Sequence, residues 1–301
     1  MERSLRNRLT YGPIMFAALL LLLFLDHWIQ IKTVHWNAYR ERGIAGVGIL
    51  ALLMFILPFA TVELATLFAA ERVKPFRFIS ATGSGLLVIH AFATQFPKFQ
   101  NIAASTLAFI IVFVMLAAAL ARASQRVTHD AIVQMAGTVL ATMYLGGLAW
   151  FLVALRLKGA QHVVGSTLLI LMILLCVKFT DIGAYFGGRA LGRRKLIPWL
   201  SPGKTWEGLF FGLITAGVVG AAMSPLINAR NGYSLWWWKG AIFGVIIGGI
   251  GQLGDLLESL MKRDADVKDS GKLVPGFGGV LDIIDSPLLA APFAYLLFSL
   301  F

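Results

Sequence analysis

Apolar residues in this chain form long continuous runs, and short segments between them carry most of the charge. A run of about 20 apolar residues is what an α-helix needs to cross the bilayer core. The alternating segments of a membrane β-barrel do not occur. The pattern predicts an all-α polytopic integral membrane protein with about nine spans. We place these spans near residues 11–31, 43–70, 77–96, 101–121, 130–155, 165–187, 207–227, 236–258 and 286–301.

The basic residues predict an orientation. With the N-terminus in the cytoplasm, about twice as many Lys and Arg residues lie on the cytoplasmic side as on the other side. The C-terminus is then outside, and the loops with the polar motifs face the cytoplasm from the inner (plasma) membrane. The first apolar run is long and lacks a clear cleavage site, so we interpret it as a retained span rather than a signal peptide. Pro58 and Glu63 predict a kinked or interfacial second half of the span 43–70.

Composition excludes a soluble protein, because only 14% of the residues are charged where soluble domains carry about 25%. The net charge of +11 is assigned to topology and contact with anionic lipid, so nucleic acid is not an expected partner. The one cysteine, Cys176, lies in an apolar run and predicts a buried thiol. None of the five histidines belongs to a polar motif, and we interpret them as interfacial or packing residues: His27, His35, His90, His129 and His162.

Charged residues cluster at span ends only after about residue 160. We therefore predict an N-terminal transmembrane scaffold, 1–129, a middle transmembrane region, 130–206, and a C-terminal catalytic region, 207–301.

The first polar motif, KFTDIGAYFGGRALGRRKL, covers residues 178–196. Asp181 directly follows an apolar run, and a carboxylate at such a depth marks a functional site or a buried partner. On a helix Asp181, Tyr185 and Arg189 share one face, and the glycines beside them allow close helix contact. The alternative is an ion pair of Asp181 with Lys178 or Arg189 that only stabilises packing.

The second motif, SPGKTWEG, covers residues 201–208. Ser201-Pro202 predicts a turn, and Thr205 is a candidate N-cap for a helix that begins near Trp206. A lysine at a helix N-terminus suits a phosphate, since amide donors, dipole and ammonium converge there; Lys204 is that lysine. The alternative is a capped interfacial helix with a lysine that serves topology.

The third motif, Gly254 to Ser286, holds acidic residues, lysines and several glycines next to the last apolar run. A continued eighth helix would place Asp255, Glu258, Ser259 and Lys262 on one face. The glycine-rich loop that follows has backbone able to approach phosphate oxygens. Carboxylates with phosphate oxygens are the ligands of Mg²⁺, and the near absence of His and Cys argues against zinc. The alternative is a solvated charged loop.

Together the motifs predict phosphoryl or nucleotidyl transfer at the cytoplasmic face. The sequence contains no GxxxxGK[ST] loop, which argues against a soluble-type NTPase site, and it contains no plausible Ser-His-Asp set.

The pattern S-x-x-K-R-x-x-x-x-K-D-x-G-x-x-x-P-G-x-G-G-x-x-D-x-x-D, which runs from Ser259 to Asp285, resembles the signature of phosphatidate cytidylyltransferases, also called CDP-diacylglycerol synthases. The stretches Asp181–Tyr185 and Ser201–Gly208 resemble two upstream motifs of that family, in the same order. The resemblance covers about residues 140–301 by motif. Two positions depart from the family pattern: Phe277 stands where the family usually has His, and Ile283 where it has Arg.

The resemblance implies that the phosphate of phosphatidic acid attacks the α-phosphorus of CTP, giving CDP-diacylglycerol and pyrophosphate in phospholipid biosynthesis. It implies Mg²⁺, with K⁺ as a candidate second cation, and a homodimer in contact with membrane lipids. The implied catalytic residues are Asp255, Lys262, Arg263, Lys268, Asp269, Asp282 and Asp285. The implied substrate-binding residues are Ser201, Lys204, Thr205, Glu207, Ser259, Gly276, Gly278 and Gly279. The implied metal ligands are Asp181, Asp255 and Asp282.

Three other protein classes are alternative interpretations of the sequence. A CTP-dependent lipid kinase acting on a polyprenol- or phytol-type alcohol would release CDP rather than pyrophosphate. A membrane transporter would use Asp181 for coupling and would show broken helices in two related halves, which the sequence lacks. A CDP-alcohol phosphotransferase would need a different helical run of Asp residues.

Overall fold

The computed structural model describes residues 2–34, 43–158, 165–231 and 235–300, and it is predominantly helical. The predicted positions His35 and His162 lie outside these residues. In chain order the elements are α1 Glu2–Lys32, α2 Val47–Ala70, α3 Arg77–Ala93, α4 Pro97–Gln100, α5 Ala103–Ser124, α6 Ala131–Thr142, a π-helical turn Met143–Gly147, α7 Leu148–Lys158, α8 Gly165–Leu191, β1 Lys195–Ile197, β2 Ser201–Thr205, α9 Trp206–Asn231, α10 Trp237–Asp264 and α11 Leu281–Leu300.

The all-α polytopic class is confirmed. Within the described residues eight helical segments are long and apolar enough to span a membrane, when α6, the π-helical turn and α7 are taken as one continuous segment, Ala131–Lys158. Helix α3, with 17 residues, is a shorter apolar helix at the position of the third predicted span, 77–96. Helix α2 continues through Pro58 to Ala70. Helices α10 and α11 are longer than predicted, ending at Asp264 and beginning at Leu281. The orientation of the termini stays a prediction.

The chain divides into two compact units. Unit 1 comprises residues 1–154 and 264–283, and unit 2 comprises residues 155–263 and 284–301. The predicted functional regions, 1–129, 130–206 and 207–301, were drawn on composition and motifs and stay predictions.

Side-chain hydrogen bonds connect the helices of unit 1. The buried His90 of α3 donates from Nε2 to the carbonyl of Ala103, 2.8 Å away, and accepts at Nδ1 from the indole N–H of Trp150, 3.0 Å away. Ser80 donates to the carbonyl of Thr138 at 3.1 Å. Because the apolar surroundings give these helices little driving force to associate in lipid, such bonds and close packing hold the unit together. The expectation that His90 is a packing residue is confirmed.

Small residues allow the helices of unit 2 to approach backbone to backbone. A Cβ at Gly212 of α9 would lie 2.7 Å from the carbonyl oxygen of Thr180 in α8. A Cβ at Gly240 of α10 would lie 2.5 Å from the carbonyl oxygen of Gly220 in α9. These distances leave no room for any side chain, so α8, α9 and α10 pack through glycine, as membrane helices often do.

This packing predicts a large effect for one glycine and a small effect for its neighbour. Gly240→Ala should force α9 and α10 apart and destabilise the protein by about 1–3 kcal/mol, the usual cost of overpacking. Gly249→Ala on the same helix is the control, because its Cβ would meet only the Leu213 side chain at 3.5 Å. Thermal unfolding in detergent checks both; equal Tm values would contradict the packing argument.

Candidate active site

The SPGKTWEG motif forms the second strand of a β-hairpin and the start of α9. Strand β1 pairs antiparallel with β2, with Ile197 opposite Ser201 and Lys195 opposite Thr205. The predicted turn at Ser201-Pro202 is wrong: the turn covers residues 198–200, and Pro202 lies within β2. A two-stranded ribbon tolerates this proline, since each strand is an edge strand and does not need every N–H.

Thr205 caps helix α9, as predicted. Its hydroxyl oxygen accepts the N–H of Gly208 at 3.1 Å, and Trp206 is the first helical residue. The carboxylate of Glu207 accepts the backbone N–H groups of Arg193 at 3.1 Å and Arg194 at 3.2 Å. Glu207 therefore holds the backbone just before strand β1 against the first turn of α9. Its predicted role in substrate binding stays a prediction.

Helix α10 carries the predicted polar face. Because the helix continues to Asp264, Asp255, Glu258 and Lys262 are spaced at i, i+3 and i+7 on one side. Ser259 is half-buried on the same helix. Arg263, the next residue of the pattern, donates from Nε to the carbonyl of Leu200 in the hairpin turn at 3.5 Å.

A close approach of α10 and α11 brings carboxylates from the two helices together. A Cβ at Gly254 would lie 2.9 Å from the Cα of Ser286, so the helix backbones touch at this level. The next residue of α10 is Asp255, and the preceding residue of α11 is Asp285. Asp255, Glu258 and Asp285 each offer a carboxylate oxygen, and these oxygens lie within 4.8 Å of one another. Glu258 and Asp285 are 1% and 2% exposed.

Two lysines form ion pairs with two of the three carboxylates in this cluster. The ammonium of Lys204 lies 2.5 Å from Oδ2 of Asp255, and the ammonium of Lys262 lies 2.6 Å from Oε2 of Glu258. Both lysine side chains are mostly buried, at 19% and 11% exposed. Buried carboxylates require such partners, since removing charge from water costs several kcal/mol per ion.

Asp181 stands beside the cluster on α8. Its Oδ1 accepts the side-chain N–H of Gln252, which lies three residues before Asp255 on α10, at 2.7 Å. Lys178 of the same helix lies 3.9 Å from Oδ2 of Asp181. The ion pair of Asp181 with Lys178, the packing alternative to a functional role, is therefore present. Tyr185 and Arg189 share the face predicted for them and hydrogen-bond each other at 3.1 Å.

The ligand atoms that the cluster offers suit a hard divalent cation. Three carboxylates in one small region offer only oxygen, which Mg²⁺ prefers. Of the predicted metal ligands, Asp255 belongs to this group, whereas Asp181 and Asp282 do not. Sequence reasoning placed Glu258 on this helix face but did not assign it as a candidate metal ligand. Its position three residues after Asp255 and four before Lys262 was the signal that could have identified it.

The second part of the signature, residues 268–282, is called here the signature loop and belongs to unit 1. Its Asp282 accepts three hydrogen bonds at Oδ2: from the backbone N–H of Ser270 at 3.0 Å, from the Ser270 hydroxyl at 2.9 Å and from the N–H of Gly279 at 2.7 Å. Asp282 therefore connects the two ends of the loop. Lys268 and Asp269 are exposed at its start.

The glycines of the signature loop form a tight turn. Gly276 and Gly278 have φ angles of 86° and 100°, which are strained for other residues. The N–H groups of Phe277 and Gly278 both donate to the carbonyl of Val274 at 3.0 Å, and the N–H of Gly279 is taken by Asp282. Since these three donors are used within the loop, the phosphate-binding role of residues 276–279 stays a prediction.

Phe277, one of the two departures from the family pattern, lies near α1. A Cβ at Gly12 would be 3.4 Å from the tip of the Phe277 ring. Ile283, the other departure, is half-buried in the first turn of α11.

Comparison with known proteins assigns the whole chain to one family. The model of the Cytidylyltransferase family matches residues 7–301. A phosphatidate cytidylyltransferase from Bacillus subtilis is 33% identical over 270 residues, which cover 84% of this chain and 96% of that protein.

Two further relatives match over shorter regions. A phosphatidate cytidylyltransferase from Haemophilus influenzae is 47% identical over 130 residues, 42% of this chain and 43% of the relative. The Escherichia coli protein YnbB is 39% identical over 156 residues, 52% of this chain and 49% of the relative. The chain thus spans about half the length of these two relatives. From the family match and the nearly full-length similarity to the Bacillus subtilis protein, the chain belongs to the cytidylyltransferase family.

Proposed function

We propose that this protein is a phosphatidate cytidylyltransferase that converts CTP and phosphatidic acid into CDP-diacylglycerol and pyrophosphate. The observation that carries the proposal is the cluster of Asp255, Glu258 and Asp285 with the ammonium groups of Lys204 and Lys262 against it. Carboxylates for a divalent cation beside cations for phosphate are the set that nucleotidyl transfer requires. The family match and the names of the relatives support the same reaction.

The proposed reaction exchanges one phosphoanhydride bond for another. A phosphate oxygen of phosphatidic acid forms a bond to the α-phosphorus of CTP, and the bond from that phosphorus to the bridging oxygen of pyrophosphate breaks. The electron pair of the broken bond leaves with pyrophosphate. The attacking phosphate is already anionic, so no general base is needed.

The residues of unit 2 supply charge and orientation for this reaction. Mg²⁺, when bound by Asp255, Glu258 and Asp285, would offset the negative charge of the triphosphate. Lys204 and Lys262, which pair with these carboxylates in the structure, would contact phosphate oxygens instead. Gln252 orients Asp181, and Thr205, the residue after Lys204, caps the start of α9. Preorganised groups of this kind stabilise the transition state electrostatically.

The remaining predicted roles rest on the resemblance. We propose that Lys268 and Arg263 contact phosphate, and that Ser201, Glu207, Ser259 and the backbone of Gly276, Gly278 and Gly279 contact the nucleotide or pyrophosphate. Asp181, Asp269 and Asp282 are proposed to act near the cation, and K⁺ is a second candidate cation. The inner membrane, a cytoplasmic active site and a homodimer are proposals with the same support.

The reaction is tested in mixed micelles containing the purified protein, phosphatidic acid, labelled CTP and Mg²⁺. We expect lipid-bound CMP and released pyrophosphate in equal amounts. Release of CDP with a phosphorylated polyprenol or phytol would instead identify a lipid kinase. Neither product, with every acceptor tried, would refute the proposal.

Asp285→Asn tests the carboxylate cluster. The change keeps the shape of a side chain that is 2% exposed but removes its charge, and we expect kcat to fall by at least about 100-fold, the scale seen when one electrostatic group of an active site is lost. Asp264→Asn, an exposed residue at the end of α10, is the control and should keep its activity. Equal activities of the two variants would contradict the assignment, provided that both elute as folded protein.

Removal of the cation gives an independent prediction. EDTA should abolish product formation, and added Mg²⁺ should restore it. In Glu258→Gln the Mg²⁺ concentration for half-maximal rate should rise by roughly 10- to 100-fold or more, because even outer-shell partners of a metal change its affinity by that factor. An unchanged Mg²⁺ requirement in this variant would exclude Glu258 from the cation site.

A further inference from the structure

Glu63 is an unexplained charge in the first half of the chain. It is the one acidic or basic residue of α2, which otherwise consists of apolar and small polar residues over 24 positions. A carboxylate in such a helix is costly, and by default it marks a functional position whose partner should be identified. Glu63 is half-buried, and Leu64 and Ala65 beside it are buried.

The partners of Glu63 lie more than 200 residues later in the chain, in the same unit. Its Oε1 accepts the backbone N–H of Val280 at 3.0 Å, and its Oε2 accepts the N–H of Leu281 at 2.8 Å. These amides are at the N-terminus of α11, where unpaired N–H groups and the helix dipole favour a negative charge. The hydroxyl of Ser270 lies 3.4 Å from Oε2.

Two glycines of the signature loop make room for this carboxylate. A Cβ at Gly271 would lie 2.8 Å from the carboxyl carbon of Glu63, and a Cβ at Gly279 would lie 2.7 Å from the same atom. Neither glycine has a positive φ, so backbone conformation does not explain its identity. The close approach of Glu63 does, because any side chain at either position would displace it.

Glu63 and Asp282 hold the signature loop from two sides. Asp282 connects Ser270 to Gly279 within the loop, and Glu63 fixes Val280 and Leu281 against α2. Three of the predicted catalytic residues, Lys268, Asp269 and Asp282, lie on this loop. Their placement in unit 1 therefore depends on a side chain outside every motif of the sequence.

We propose that Glu63 is a positioning residue of the nucleotidyl-transfer reaction, which holds the signature loop in the conformation that its catalytic residues require. The inference rests on the proposed function. Glu63 does not need to touch either substrate. It acts through the amides of residues 280 and 281 and through the space that Gly271 and Gly279 leave for it.

Glu63→Gln tests this directly. In the wild type each carboxylate oxygen of Glu63 accepts one backbone N–H. The side-chain amide of Gln has only one oxygen, and its NH₂ group faces the other backbone N–H, so one of the two hydrogen bonds is lost. Amide hydrogen exchange of the full chain in detergent should become faster at Val280 and Leu281 and stay unchanged in the buried part of α2 and in α3. Glu71→Gln, an exposed residue directly after α2, is the control and should leave exchange at both amides unchanged.

The kinetic readout separates positioning from binding. In Glu63→Gln we expect kcat to fall by about 10- to 100-fold, since misplacement by about 1 Å has effects of this order, while KM for CTP, to which the same loop is proposed to contribute, rises by a smaller factor. Glu63→Asp keeps the charge but is one methylene shorter, so it should recover part of kcat. Gly271→Ala should reproduce the loss through displacement of Glu63, and the double variant Glu63→Gln/Gly271→Ala should lose less than the product of the single losses.

Several results would overturn the proposal. Unchanged exchange at Val280 and Leu281 in Glu63→Gln would mean that the loop is held by other groups. Faster exchange at these amides with unchanged kcat would make Glu63 a helix cap only, and faster exchange throughout α2 and α3 would assign it to general stability. If the wild type forms no lipid-bound CMP, the proposed function fails, while the exchange experiment still decides whether Glu63 holds the loop.

Discussion

Carboxylates within apolar helices need donors or cations around them, and this requirement organises both units of the structure. In unit 1 the fully buried Asp26 accepts the N–H of Gly48 at 2.8 Å, and Glu63 accepts two amides of α11. In unit 2 Glu258 pairs with Lys262, and Asp181 with Gln252. Without these partners each carboxylate would carry a desolvation cost of several kcal/mol. The polar contacts therefore fix the helix register where apolar packing alone would leave it loosely defined.

Glycine makes these contacts possible by letting backbones approach. Gly254 places α10 directly against Ser286 of α11, and the neighbouring aspartates meet as a result. In unit 1, Gly271 and Gly279 have a different use, because they leave space for the side chain of Glu63 from α2. The glycines of the motifs thus have three separate uses: helix contact, side-chain clearance, and the left-handed turn at Gly276 and Gly278.

Local patterns in the sequence were sufficient for much of this structure. Apolar runs predicted the spanning helices, because a bilayer permits few alternatives, and a helical face predicted the alignment of Asp255 with Lys262. The capping pattern identified Thr205 correctly, since its partner is only three residues away. The turn at Ser201-Pro202 was misassigned because a short ribbon accepts a proline in its edge strand.

Contacts between distant parts of the chain could not be predicted from local patterns. The meeting of Asp285 with Glu258 depends on how closely α10 approaches α11, and the role of Glu63 depends on donors 217 and 218 residues later. The sequence showed that Glu63 was unusual but gave no means of finding its partner. Likewise, the glycines of the signature loop predicted open backbone N–H groups, whereas Asp282 and Val274 already accept several of them.

The order of Glu63 and its donors along the chain has a consequence for biosynthesis. Glu63 of α2 is synthesised 217 and 218 residues before Val280 and Leu281. At ribosomal rates of about 5–20 residues per second, roughly 10 to 45 seconds separate them. During that interval the Glu63 carboxylate has none of these donors, and water or other polar groups must satisfy it in the inserting segment. Closure of the signature loop onto α2 is therefore a late step, and a chain that stops short of α11 leaves an unsatisfied acid in its second helix.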